Sequence, residues 1–130
     1  MAVLMQVSAA QASLIPPVEH GVWLSARMMP QALASGDYTS IADLFTPETT
    51  INADDGKVLA KGTAASLIYL KRWYGSNNRI VATYSGYASL VISVERTTDK
   101  PWDKAYMMVI RCASGKVSQI TIINRNPNMP

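Results

Sequence analysis

Residues 79–124 read RIVATYSGYASLVISVERTTDKPWDKAYMMVIRCASGKVSQITIIN, and their pattern decides the fold class. β-branched and aromatic residues dominate, apolar and polar positions alternate, and breakers fall at regular intervals, which reads as strands. The expected strands are residues 79–87, 88–97, 104–113 and 116–124, with polar turns at 98–103 and at Ser114-Gly115. Alternation places Leu90, Ile92 and Val94, then Met107, Val109 and Arg111, then Ile120, Ile122 and Asn124 on one face of the sheet. On this reading Tyr106 has the opposite parity and points away from that face.

Upstream of this sheet the period changes. From Pro16 to Ala34, Val18, Val22, Trp23, Met28, Met29, Ala32 and Leu33 recur every three to four residues, the mark of an amphipathic helix. Pro30 lies inside it and is expected to bend or interrupt the axis near Arg27. Asp37 starts a second helix that Pro47 ends, residues 49–53 and 57–60 flank the Asp54-Asp55-Gly56 turn, and Gly62 opens a third helix whose apolar face includes Leu67, Leu70 and Trp73. Three helices followed by four long strands give an α+β class: a curved antiparallel sheet with helices on one face.

Composition sets bounds on function. With 130 residues the chain fits one domain, 1–130, with an apolar N-terminal arm over 1–15 and a tail over 126–130. Apolar residues make up 48% and charged residues 16%, which supplies a core and excludes a disordered chain. The net charge of +3 is scattered, with Lys71-Arg72 its only close pair, so nucleic acid is not an expected partner. No apolar run reaches the length of a membrane helix, and the apolar start lacks the positive charge of a secretory signal; the expectation is a cytoplasmic protein without a membrane partner. The lone Cys112 reads as a small buried apolar residue, and His20 as a surface or capping residue.

Three pieces in order, Leu33-Ala34-Ser35-Gly36-Asp37-Tyr38, Leu44 through Ile51, and Gly62-Thr63-Ala64-Ala65, resemble the SnoaL-like and ketosteroid isomerase-like families of the nuclear transport factor 2-like superfamily. There the pieces appear as L-x-x-G-D, L-F-x-x-D-A-T-V and G-x-x-A-I, and the resemblance spans about residues 18–125. It implies a cone: the sheet wraps the helices and leaves an apolar cavity at its open end. Members include isomerases, polyketide cyclases and binding modules, commonly paired as homodimers through the outer sheet face. The stretches 54–58 and 115–127 also look like the SnoaL-like domains appended to some sigma factors, without the promoter-binding regions.

The resemblance also tests a mechanism. The carboxylate base, tyrosine and acidic donor of ketosteroid isomerases fall on Ala53, Met29 and Met107, all apolar, so isomerisation by that route is disfavoured. What remains is a hydrocarbon and thioether wall of Met29, Leu70, Leu90, Ile92, Val94, Met107, Val109, Ile120 and Ile122, roofed by Trp23, fit for a hydrophobic small molecule. Four polar residues are catalytic candidates: Asp54 as a base one residue beyond the family position, Arg111 as an oxygen anchor, and Tyr69 and Asn124 as neutral donors. The alternative for Arg111 is an ion pair with Glu95 or Asp103.

No nucleophile triad, metal cluster or dinucleotide fingerprint is present, so any action is expected to need no cofactor. Two functions follow. One is a tailoring enzyme of natural-product biosynthesis, a cyclase or isomerase, pericyclic reactions included, on a polyketide-like or terpenoid-like substrate; the other is a non-catalytic ligand-binding or dimerisation module. Convergence of Asp54, Tyr69, Arg111 and Asn124 on one cavity favours the enzyme, and their dispersal to solvent favours the binder.

Overall fold

A computed structural model of the chain describes residues 18–96 and 105–124. Helix α1 (His20–Ser35) is followed by a short 3-10 helix (Thr39–Leu44), a hairpin of β1 (Thr50–Ala53) and β2 (Val58–Lys61), and helix α2 (Thr63–Tyr74). Strands β3 (Asn78–Ser85), β4 (Ser89–Arg96), β5 (Ala105–Ala113) and β6 (Lys116–Asn124) complete an α+β fold. The N-terminal arm and the C-terminal tail of the sequence reading lie outside the described residues, as does Asp103.

Helix α1 begins where the Glu19 carboxylate accepts the Gly21 amide at 2.7 Å, and it ends at Gly36, whose left-handed φ of 75° lets its amide reach back to Ala32. The helix runs through Pro30 without interruption, contrary to the sequence expectation. Losing one backbone bond costs about 3 kcal/mol, which the burial of Met29, Ala32 and Leu33 around it offsets. The second helix is 3-10 rather than α because its buried residues, Ile41 and Leu44, stand three apart, the repeat of that tighter coil.

The six strands form one sheet in the order β2-β1-β6-β5-β4-β3. It is mixed, not wholly antiparallel as expected: β1 runs parallel to β6, with Ile51 beside Ile120 and Ala53 beside Ile122. The Thr49 hydroxyl donates to the Val117 carbonyl at 2.6 Å and sets that pairing at its start. Single-residue bulges interrupt the β1–β2, β3–β4 and β5–β6 ladders, and each adds bend and twist to a sheet that curves without closing.

Register identifies the face that meets the helices. Leu90 pairs with Ile110 and Ile92 with Met108; these in turn pair with Ile120 and Ile122, and all but the nearly buried Ile122 are fully buried. Strand β5 therefore turns Tyr106, Met108, Ile110 and Cys112 inward, and the expected inward set of Met107, Val109 and Arg111 faces out. The reason is energetic: the inward set is entirely apolar or aromatic, whereas the other parity would bury the Arg111 charge.

Cys112 packs 3.9 Å from the Ser25 hydroxyl, and burial pushes its thiol up to about 11 from 9.0. A raised folded pKa stabilises the fold below the unfolded value, and that contribution disappears as pH climbs from 9 to 11. We expect urea-melt stability to fall by on the order of 2 kcal/mol over this window, and Cys112→Ala to flatten the part of the decline between pH 9 and 10. Tyr38, pushed up to about 12 by its own burial, adds a decline of the same sign only above pH 10.

Candidate functional site

The interior face of the sheet is graded. At the end where α1 starts it carries Cys112 and Val117, in the middle only aliphatic residues and Met108, and at the other end a polar and aromatic group. That end is where β4 and β6 stop and β5 begins. Tyr106 pairs with Val94 on one side and Asn124 on the other, and Arg96 follows two residues after Val94 on the same face. We call this end the mouth.

Arg96 organises it. Its Nη2 donates to the Trp73 carbonyl at 2.9 Å and its Nε to the Asn78 Oδ1 at 3.1 Å, while the Asn78 amide donates in turn to the Tyr74 carbonyl. Two side chains, one charged and one polar, thus satisfy the last carbonyls of α2, where a cation is also favoured by the helix dipole. The guanidinium carbon lies 4.6 Å from the Tyr106 ring centroid and 5.5 Å from that of Trp73, and the two rings meet edge to face at 5.7 Å. Each cation–ring contact contributes roughly 0.5–2 kcal/mol, so the guanidinium is held in one place. Tyr69, one helical turn before Trp73, is half-buried; burial pushes its phenol up, and the Arg96 charge pulls it back down.

Beside Tyr69, Leu59, Ala60, Ala65, Ile68 and Arg72 line an apolar groove of about 390 Å³ between β2 and α2. A larger groove of about 660 Å³ lies at the end of α2, over Pro30, Tyr74, Asn78 and Ile80. It opens to solvent, and its charged lining residue, Arg79, stands 3.5 Å from Glu95.

The sequence candidates separate on this scaffold. Tyr69 and Asn124 belong to the mouth. Asp54 is exposed in the β1–β2 turn, one residue past Ala53. Arg111 is exposed on the outer face beside Ser89 and Gln119, at the opposite end of β5 from the mouth, and Glu95 pairs with Arg79 instead. The four therefore do not converge. Met29, Leu70, Leu90, Ile92, Val94 and Ile120 are at most 1% exposed and pack as core. Ile122 packs there too. Met107 and Val109 belong to the outer face, as register requires.

Trp23 does not roof the mouth. It is half exposed on α1, stacked against His20 at 6.0 Å and under Arg27 at 4.8 Å, because its helical position faces away from the sheet. Arg96 is the residue that sequence reasoning missed, although the alternation of Leu90, Ile92 and Val94 continues directly to it, and Tyr106, which the sequence reading turns away from this face, points inward. Among the described residues, no cluster of three or more His, Cys, Asp or Glu could hold a metal ion, and no helix is long and apolar enough to cross a membrane.

No family description matches the sequence, and no curated protein matches it by sequence. Solved structures do. A candidate ketosteroid isomerase from Kribbella flavida superposes with a TM-score of 0.67 at 16% identity, over 86% of this chain and 83% of that one. An NTF-2-like protein from Burkholderia xenovorans gives 0.63 at 12%, over 85% and 87%. A candidate polyketide cyclase from Sinorhizobium meliloti gives 0.57 at 13%, over 75% and 91%. At these identities the likeness is one of fold: a curved sheet and helices of the nuclear transport factor 2-like, ketosteroid isomerase-like kind.

Proposed function

We propose that this chain binds an apolar small molecule carrying a carboxylate or a strongly polarised carbonyl. The oxygen sits at Arg96, and the apolar body lies against Trp73, Tyr69 and the groove beside Tyr69. One observation carries the reading: a guanidinium fixed by a backbone carbonyl and a side-chain amide, flanked by two rings, at the half-buried end of an otherwise hydrocarbon interior. A cation fixed before the ligand arrives orders little on binding, and its low-dielectric surroundings strengthen its attraction for an oxyanion.

Calorimetric titration with 2-naphthoate and its neutral analogue 2-acetylnaphthalene tests this. Arg96→Met is expected to weaken naphthoate binding at least tenfold and to leave the ketone within about threefold, because a hydrogen bond to an ion is worth about twice one to a neutral group. Equal losses for both probes would mean that Arg96 only props α2. No loss for either would place the ligand elsewhere.

A second reading, cofactor-independent cyclisation or isomerisation of a polyketide-like or terpenoid-like substrate, draws on one feature. Ala53 lies beside Ile122, so the turn carrying Asp54 leaves the sheet at the level of the mouth. In this reading the mouth orients the substrate and Arg96 stabilises developing negative charge on its oxygen, with Asp54 taking the proton. Asp54→Asn would then abolish turnover while leaving binding intact, whereas a pure binder has no turnover to lose. Either role is proposed for a cytoplasmic protein of natural-product metabolism that engages neither nucleic acid nor membrane. Its proposed homodimer joins the outer sheet faces, where Val91 pairs with Val109 and Met107 with Ile123.

A further inference from the structure

Helix α2 carries a polar group that the fold buries. The Ser66 hydroxyl is fully buried and has no hydrogen-bond partner among the described residues, an arrangement that costs about 1–3 kcal/mol. An alanine would fit the same place without that cost.

The position of Ser66 on the helix connects it to the mouth. At about 100° per residue, Ser66, Tyr69 and Trp73 fall within an arc of about 60° on one side of α2. Trp73 touches Arg96 and Tyr106, and Tyr69 feels the Arg96 charge. The unpartnered hydroxyl is thus the inner end of a stripe whose outer end is the mouth. Apart from its clamped end at Trp73 and Tyr74, helix α2 packs mainly on β2 and α1, whereas α1 is the helix that lies across β3, β4, β5 and β6. A ligand that reaches Ser66 has to displace this stretch of α2 from the sheet.

We infer that Ser66 is the inner anchor of the ligand, hydrogen-bonding a hydroxyl or carbonyl at the end remote from the oxygen at Arg96. The assignment rests on the mouth being the ligand site. Seven helical steps separate Ser66 from Trp73, about 10 Å along the axis, which suits a fused bicyclic molecule with a polar group at each end. Binding such a molecule relieves the orphaned hydroxyl.

The test combines thermal melts of the free protein with titrations of 2-naphthoate and 6-hydroxy-2-naphthoate into the wild type and Ser66→Ala. Free Ser66→Ala is expected to melt about 2–5 °C higher, since it removes an unpaired polar atom. The wild type should prefer the hydroxylated acid about five- to tenfold, and Ser66→Ala should lose that preference while holding 2-naphthoate within about twofold. A lower melting temperature for Ser66→Ala, or a preference that survives the substitution, overturns the assignment. If the wild type binds both acids equally, Ser66 falls and the mouth stands; if it binds neither, both fall together.

Discussion

Met108→Asp is expected to leave the chain unfolded at 25 °C, while Met107→Asp folds with a loss of about 1 kcal/mol. The two residues are adjacent and chemically identical, so only the face of β5 separates them. Met108 is fully buried between Ile92 and Ile122, among neighbours that offer a carboxylate no partner. Placing an unpaired carboxylate there while removing a core methionine costs on the order of 5 kcal/mol or more, comparable to the whole stability of a domain of this size. Met107 is half-buried on the outer face beside Ser93 and Ile123, where water still reaches an introduced charge. Circular dichroism and urea melts measure the contrast. If the proposed outer-face dimer forms, Met107→Asp also converts it to monomer in light scattering. An unfolded Met107→Asp beside a folded Met108→Asp would reverse the register.

Gly21→Val is expected to cost at least about 3 kcal/mol and to lower the melting temperature by roughly 10 °C. A β-carbon at Gly21 would stand 2.8 Å from the Glu19 Oε2, 3.0 Å from the Cys112 Cβ and 3.0 Å from the Gly115 carbonyl carbon. Two of these three cannot rotate away. The third belongs to the Glu19 carboxylate, which holds the Gly21 amide at the start of α1 and the Gly115 amide in the β5–β6 turn. Displacing it releases the helix from the sheet end. Gly36→Ala is the comparison: nothing lies within 4 Å of its would-be β-carbon, but its φ of 75° disfavours any side chain, so a cost of about 1 kcal/mol is expected. Equal effects at the two positions would deny that close packing governs Gly21.

Much of the fold was readable from the chain because strand periodicity and turn residues agree. Ser114-Gly115, both with positive φ, form a tight hairpin turn where the sequence places one, and β6 runs over the expected residues 116–124. The parallel pairing of β1 with β6 was not readable: it joins segments some seventy residues apart through Ile51, Ile120 and the Thr49 hydroxyl, and no local pattern encodes that contact. The parity of β5 failed for a different reason. From Tyr106 to Ile110 both alternations are apolar, so the pattern does not fix the face, and one residue of slip turns every side chain over. Arg111 and Cys112 held the correction, because only one parity buries the thiol and leaves the charge in water.

The site was less legible than the fold. Asp54 and Arg111 stood out as charges near apolar strands, yet neither faces the interior. Arg96 sits next to an expected loop and reads as a strand end; its role depends on the last carbonyls of α2 and on rings from α2 and β5, three elements brought together only by folding. Ser66 looks like any helical serine until the packing leaves it without a partner among the described residues.

The central claim is that the interior is closed core in the free protein and that ligand recognition is anchored at the mouth. A two-dimensional carbon–proton NMR titration of methyl and aromatic groups with 2-naphthoate tests it most directly. Shifts concentrated on Tyr69, Trp73 and Tyr106, absent in Arg96→Met, are the predicted result; shifts centred on Trp23 or on the outer-face Met107 and Val109, or none at all, would contradict it.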